Sequence, residues 1–174
     1  MVHRRSSRGW AAALLVAGLW PGLAHAAGGG GGGAGGASGG SGRAGQPADP
    51  DYTAAVAAIQ AQDYARAIGL LQGYVQRQPD DADGENWLAY ANRKSGHLDE
   101  AFDHYAKALA IDPRHRGAHE YVGEAYLMAG NLAKAEEHLK VLDKLCFFPC
   151  EEYSDLKAAV AAYRAGHGLP TASN

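Results

Sequence analysis

The stretch of sequence that decides the fold is WLAYANRKSGHLDEAFDHYAKALAIDP, residues 87–113. Its first part carries apolar side chains at three- and four-residue spacing as far as Ser95-Gly96, and glycine readily takes the left-handed conformation that ends a helix. Asp99-Glu100 then place negative charge where the dipole at the start of a second helix favours it. Pro113 cannot continue that helix. The stretch therefore predicts two amphipathic helices joined by a tight turn.

This two-helix pattern recurs along the chain with a period of about 34 residues, which is typical of proteins built from repeated helix pairs. One period later the pattern returns with Gly130 at the turn. One period earlier it is weaker, with Gln62 in place of the turn glycine and Tyr74 in place of a small residue. The key positions of the middle copy are Leu88-Ala89, Gly96, Leu98, Ala101, Tyr105, Ala108 and Pro113.

Those key positions resemble the tetratricopeptide signature, and the third copy differs chiefly in that its closing proline is displaced to Pro149. The resemblance covers about residues 51–145 and implies an all-α fold, an α-solenoid of three helix pairs. Small residues such as Ala101 and Ala135 would let paired helices approach closely. A solenoid needs a cap on its last apolar face, and residues 151–165 form one more amphipathic segment. We therefore predict seven helices, the last of them a C-terminal capping helix.

Residues 1–26 have the pattern of a cleaved export signal. Arg4, Arg5 and Arg8 form a positive leader, Trp10–Leu19 is apolar, and Ala24-His25-Ala26 offers the small residues of a cleavage site after Ala26. The apolar run is about half the roughly 20 residues that span a bilayer, which favours a signal over a membrane anchor. The paired arginines leave twin-arginine export open beside the general secretory route. The expected location is periplasmic or secreted.

Composition divides the rest of the chain into three parts. Residues 27–50, dominated by Gly, Ala and Ser, predict a disordered linker. Residues 51–166 form the repeat domain with its capping helix, and 167–174 a flexible tail. Removal of the leader takes three of the 16 basic residues and none of the 19 acidic ones, so the net charge changes from −3 to −6. An acidic chain is a poor ligand for nucleic acid, and we expect no membrane insertion.

No motif in the chain indicates catalysis, a cofactor or a metal site. The Gly-rich tract lacks the Lys-Ser or Lys-Thr of a phosphate-binding loop, and no serine lies in a nucleophile motif. His115 and His119 have the four-residue spacing of a helical metal pair, but Arg114 and Arg116 would repel a cation there. We expect the histidines to be solvated surface residues. The sequence thus predicts a protein that is not an enzyme and has no cofactor.

Cys146 and Cys150 are the only cysteines, and they flank a corner that precedes the capping helix. In an exported protein we expect them to form a disulfide. The alternative is a copper-handling or thiol-redox protein, because a pair of thiolates suits Cu(I). We expect Phe147-Phe148 to pack beneath the capping helix, against Tyr153 and Leu156. A count of free thiols in the exported protein distinguishes the two functions.

The tetratricopeptide resemblance implies a protein or peptide partner on the concave side, which the first helix of each pair lines. Tyr52 and Val56 stand where a carboxylate clamp of the chaperone-adaptor type would begin, so we do not expect that clamp. We expect reversal of the charges of Arg93 and Lys94 to weaken partner binding and to leave the fold intact, because both lie on this side and neither occupies a signature position. The chain is predicted to be an adaptor or scaffold of undetermined oligomeric state. Its candidate partner-binding residues are Asn86, Tyr90, Arg93, Lys94, Glu120 and Glu124.

Overall fold

The computed structural model describes residues 49–148 and 150–168 of the chain. The predicted signal at 1–26, most of the predicted linker and residues 169–174 of the predicted tail lie outside these ranges. The described residues contain seven helices and no strand, which confirms the all-α prediction. The helices are α1 (Pro50–Gln60), α2 (Tyr64–Arg77), α3 (Ala82–Lys94), α4 (Leu98–Ile111), α5 (Arg116–Met128), α6 (Leu132–Leu145) and α7 (Glu151–Gly166).

Consecutive helices form three pairs, α1 with α2, α3 with α4 and α5 with α6, and α7 packs against both α5 and α6. The alanines of the repeat signature make these pairs possible. Ala67, Ala101 and Ala135 stand in the same position of the three second helices, and each is completely buried. A side chain no larger than a methyl group lets the partner helix approach closely, so the signature positions are packing positions, as predicted.

The turn inside each pair requires a left-handed backbone. Gly96 and Gly130 have φ angles of 85° and 76° in the second and third pairs. Gln62 stands in the same turn of the first pair and has a φ of 60°, the only positive φ of a non-glycine residue in the described ranges. Side chains with a Cβ disfavour this region by about 1–2 kcal/mol. The first repeat therefore keeps the turn that the period predicts, although its residue suits that turn poorly.

A second departure of the first repeat, Tyr74, is accommodated by a glycine. A Cβ built on Gly84 would lie 2.6 Å from the Tyr74 ring, far inside contact distance, so only glycine fits beneath the ring. The Tyr74 hydroxyl donates a hydrogen bond to the Asp81 carboxylate just before α3. The large residue thus replaces a small one without separating α2 from α3, because the space comes from the facing helix.

The last helix continues the repeat rather than merely covering it. Leu88, Val122 and Leu156 lie one period apart in α3, α5 and α7, and all three are buried. A Cβ on Gly123 would lie 2.6 Å from Leu156, which shows how closely α7 sits on α5. The side chains that α7 turns away from the domain are small or polar, as a cap requires. No helix among the described residues is long and apolar enough to cross a membrane.

The corner between α6 and α7 carries the predicted disulfide, with a Cα–Cα distance of 5.8 Å between Cys146 and Cys150. The expectation that the two phenylalanines between them pack beneath the capping helix is wrong. Phe147 and Phe148 are 93% and 76% exposed, and they pack edge to face on each other with ring centroids 4.9 Å apart. A loop closed after so few residues cannot turn both rings inward, and Leu156 is already completely buried against other residues.

We expect Gln62→Gly to stabilise the domain by roughly 0.5–1 kcal/mol, because glycine relieves the left-handed strain but loses more entropy on folding. The measurement is urea unfolding followed by circular dichroism. Gln72→Gly is the matched control, since Gln72 is exposed within α2 and glycine there costs about 1 kcal/mol of helix propensity. Equal destabilisation by both changes would contradict the strain at Gln62.

Candidate functional site

The first helices of the pairs form the inner face of the repeat domain. Within the described residues α1 contacts α3, α3 contacts α5 and α5 contacts α7, whereas α2 does not contact α4, nor α4 contact α6. Neighbours in a curved stack come closest on the inside of the curve. The inner face is therefore lined by α1, α3, α5 and α7, the row to which all the predicted partner-binding residues belong.

An aromatic cluster lies on this face between α3 and α5. We define it as Trp87, Tyr90 and Tyr121, with Tyr64 at its edge. The ring centroids are 5.6 Å apart for Trp87 and Tyr90, 4.9 Å for Tyr90 and Tyr121, and 6.3 Å for Trp87 and Tyr121. Tyr64 meets Tyr90 edge-on at 6.4 Å. All four side chains are half-buried, so part of each ring remains exposed to solvent.

Arg93 lies beneath the aromatic cluster and differs from its prediction. Its side chain is buried, with 6% exposure, and one terminal guanidinium nitrogen lies 2.7 Å from the Glu124 carboxylate. Its Nε donates a hydrogen bond to the hydroxyl of Tyr105, a completely buried core residue, at 3.3 Å. The guanidinium is 5.2 Å from the Tyr90 ring centroid and 5.6 Å from that of Tyr121. Charge reversal at Arg93 would therefore damage the fold, contrary to expectation.

Lys94 at the end of α3, and Tyr52 and Val56 on α1, are more accessible than Arg93. Lys94 is exposed, with its ammonium 6.0 Å from the Tyr90 ring centroid. Tyr52 and Val56 are half-buried. The Tyr52 ring packs on Tyr74 at 5.0 Å, and burial raises the pKa of its hydroxyl to about 12. Tyr52 is thus partly engaged in the core of the first repeat.

Asn86 and Glu120 occupy the same position of α3 and α5, one period apart, and both are buried, with 3% and 8% exposure. The Oδ1 of Asn86 has no hydrogen-bond partner among the described residues. The Glu120 carboxyl likewise makes no hydrogen bond or ion pair with them. Burial, followed by the nearby charges of Glu124, Asp155 and Glu152, raises the pKa of Glu120 to about 8 against a weaker opposing effect of Arg93.

His115, His119 and His138 are not the solvated surface residues that the sequence predicted. His115 caps α5 by accepting from the Ala118 N–H, and its Nε2 donates to Asp83 at 2.9 Å, which ties the starts of α3 and α5 together. The Nδ1 atoms of His119 and His138 are 2.9 Å apart. Burial, followed by the charge of His119, lowers the pKa of His138 to about 4. These imidazoles are structural contacts of the domain, whereas His97 and His167 are exposed.

No group of three or more His, Cys, Asp or Glu side chains in the described ranges is placed to hold a metal ion. Cys146 and Cys150 are bonded to each other, and a disulfide has no thiolate to offer Cu(I). Cys146 lines a cavity of about 290 Å³ together with Asp143, Tyr153 and the two phenylalanines. This cavity lies at the corner before α7, separate from the aromatic cluster.

Two residues of the aromatic cluster, Trp87 and Tyr121, are missed as binding residues by the sequence analysis. The apolar pattern places Trp87 only on the buried side of its helix, and the signature does not include Tyr121. A signal is nevertheless present in the sequence, because the two aromatic residues are one period apart and occupy the same position of successive first helices. An aromatic residue repeated at a position that the packing signature does not require points to a surface with another use.

Sequence comparison finds one family. Residues 52–115 and residues 92–160 each match a tetratricopeptide-repeat model, and the two matches together span 52–160. No curated protein sequence matches the chain.

Solved structures share the fold at low sequence identity. The type III secretion translocator chaperone SycD of Yersinia enterocolitica is 20% identical with a TM-score of 0.62, over 68% of this chain and 84% of SycD. SycD in complex with a peptide of the translocator YopD is 22% identical with a TM-score of 0.58, over 67% and 88%. The tetratricopeptide domain of Sgt2 from Aspergillus fumigatus is 18% identical with a TM-score of 0.60, over 71% and 85%.

We expect Glu120→Gln to stabilise the domain at pH 8 by roughly 2–4 kcal/mol and to change little at pH 5. Between its ordinary pKa of 4.5 and its folded value of about 8, Glu120 holds a proton that the unfolded chain releases. The stability of the parent protein therefore falls as the pH rises through this range. Glutamine cannot ionise, so its advantage grows with pH. Urea unfolding at both pH values measures the difference.

Glu137→Gln is the control for this measurement, because Glu137 is exposed on α6 and pairs only with Lys134 on the same helix. It is expected to give no gain that grows with pH. A gain of equal size at pH 5 and pH 8 for Glu120→Gln would refute the burial of an ionisable group on the inner face.

Proposed function

Because the chain belongs to the tetratricopeptide-repeat family, we propose that it is a protein-interaction module that holds a protein or peptide segment on its inner face. The proposal assigns it no enzymatic activity and no cofactor. The observation that carries it is the aromatic cluster. Trp87, Tyr90 and Tyr121 are held in fixed contact with one another, yet each remains half open to solvent.

Rigid aromatic side chains are the usual anchors of protein interfaces, since they bring a large contact area and lose little conformational entropy on binding. The cluster is rigid because Arg93 lies against two of its rings and is itself fixed by Glu124 and Tyr105. A segment on the inner face would thus meet a preformed surface. This reduces the entropy lost on binding.

The comparisons support a peptide ligand by analogy. One similar structure is that of a secretion chaperone with a peptide of the translocator it serves. At 22% identity this likeness concerns the fold, and the partner of the present chain is a separate question. Binding on the inner face follows here from this chain's own aromatic cluster.

The binding proposal is tested with peptides selected from a random display library on the purified protein. Trp87 fluorescence reports occupation of the cluster. We expect Tyr121→Ala to weaken the selected peptides at least tenfold, because an aromatic anchor contributes about 2 kcal/mol or more. Tyr153→Ala is the matched control, since Tyr153 is also half-buried but lies at the α6–α7 corner. It is expected to change affinity less than twofold.

Circular dichroism and thermal melting must show that both variants remain folded. Equal losses in the two variants would exclude the aromatic cluster as the binding surface. Failure to select any peptide that changes Trp87 fluorescence would refute the proposed function itself.

The location we propose is outside the cytoplasm, in the periplasm or the medium, with a mature chain that begins at Ala27. The support is the short apolar run and small-residue triplet of the leader. Mass spectrometry of the protein from its producing cells is expected to give Ala27 as the first residue and no free thiol. Intact Met1 on a membrane-bound species would contradict export, and free thiols would favour the copper or redox alternative for Cys146 and Cys150.

A further inference from the structure

The inner face contains two buried acceptor groups that the described residues do not satisfy. The Oδ1 of Asn86 is buried without a partner, and Glu120, a residue with 8% exposure, has no hydrogen bond or ion pair from its carboxyl group to the described residues. A buried polar group left without a partner destabilises the folded state, and native proteins keep few of them. The two stand at the same position of α3 and α5, so the repeat places successive acceptors along one row.

Within the described residues, cations pair with the neighbouring carboxylates Glu124 and Glu152, and none pairs with Glu120. Arg93 pairs with Glu124 at 2.7 Å, and Arg116 lies 3.5 Å from Glu152. The acidic groups whose charges act on Glu120 are Glu124 on its own helix and Asp155 and Glu152 on α7, and Arg93 of α3 acts on it with the opposite sign. The surroundings of Glu120 are thus predominantly negative.

Comparison of the second and third repeats shows that the cations of the second repeat have no counterpart in the third, to which Glu120 belongs. Arg93 and Lys94 end α3, and the residues one period later, at the end of α5, are Leu127 and Met128. The second repeat therefore provides cations for the inner face, and the third repeat has apolar residues at the same positions.

The aromatic cluster adds a preference for a positive group. Its rings already hold one cation of this chain, the Arg93 guanidinium, over Tyr90 and Tyr121. Tyr121 directly follows Glu120 in α5, and the two groups are close enough for the carboxylate charge to raise the pKa of the Tyr121 hydroxyl, although burial is the larger cause. An aromatic ring and a carboxylate each favour an ammonium or guanidinium group.

We propose that the inner face has a cation subsite between α5 and α7, in which Glu120 pairs with a lysine or arginine side chain of the bound segment, beside Tyr121. The subsite rests on the proposed function, since it gives the chemistry of the ligand that the inner face holds. The cation converts Glu120 from a buried acid to a buried ion pair. An anionic segment would meet Glu124, Glu152 and Asp155 and is rejected.

The test uses the peptides selected on the aromatic cluster, with acetylated and amidated ends so that terminal charges do not contribute. We expect the selected sequences to be enriched in lysine or arginine. Replacement of that residue by norleucine is expected to weaken binding at least tenfold on the parent protein and less than threefold on Glu120→Gln. This double-mutant cycle isolates the contact between the two groups. Glu137→Gln, exposed on α6, is the control and is expected to behave as the parent protein does.

A proton measurement separates a direct ion pair from a merely structural role of Glu120. Because the pKa of Glu120 is about 8, the carboxyl is mostly protonated at pH 7, and pairing with a cation must release that proton. Titration calorimetry in two buffers of different ionisation enthalpy is expected to show close to one proton released per peptide at pH 7, and none for Glu120→Gln.

The possible results distinguish failure of the cation subsite from failure of the proposed function. Selected peptides without enrichment of basic residues, or equal norleucine effects on the parent protein and on Glu120→Gln, overturn the cation subsite and leave binding at the aromatic cluster intact. Restored affinity when the same peptide has a free amino end and no basic side chain would assign the subsite to a terminal ammonium, which overturns the side-chain assignment. Absence of any peptide that affects Trp87 overturns the proposed function and the subsite together.

Discussion

The buried guanidinium of Arg93 is the contact on which the inner face depends. It joins three helices, because Arg93 belongs to α3, its Nε donates to Tyr105 of α4, and its terminal nitrogen pairs with Glu124 of α5. It also lies against the rings of Tyr90 and Tyr121. A buried ion pair is costly to break, since removal of one partner leaves the other charged and desolvated. Arg93 therefore fixes both the aromatic cluster and the packing of the second repeat on the third.

The features that the sequence predicted correctly are those that the repeat period imposes. Left-handed turns at Gly96 and Gly130, buried alanines in the second helices and the position of the capping helix all follow from packing rules that act at every repeat. Even Gln62 adopts the turn of its glycine counterparts, because two helices that must pack closely leave no other route for the chain. The backbone was thus predictable where the residue itself was not the preferred one.

The burial of charged and polar residues could not be predicted from the period. Charged side chains are rarely buried without a partner, so no pattern in the chain favoured placing Arg93 and Glu120 inside. Their burial depends on which side chains of the next repeat face them, and that is a property of the assembled stack. The exposed Phe147 illustrates the opposite error. Apolar character predicted burial, but the short disulfide-closed loop holds the ring outside.

The unpaired polar groups of the inner face lower the stability of the free protein but are available to a ligand. Folding of the repeats desolvates Asn86 and Glu120, which lowers the stability of the free protein. The packing of residues such as Leu88 and Leu156 offsets this loss. A ligand that satisfies these acceptors then has to lose only its own hydration. It also binds the folded state alone, so it must stabilise the domain in proportion to its concentration and affinity. In the binding that we propose, the affinity comes from this imbalance, because the packed core holds polar groups that the described residues leave unpaired and that a partner would pair.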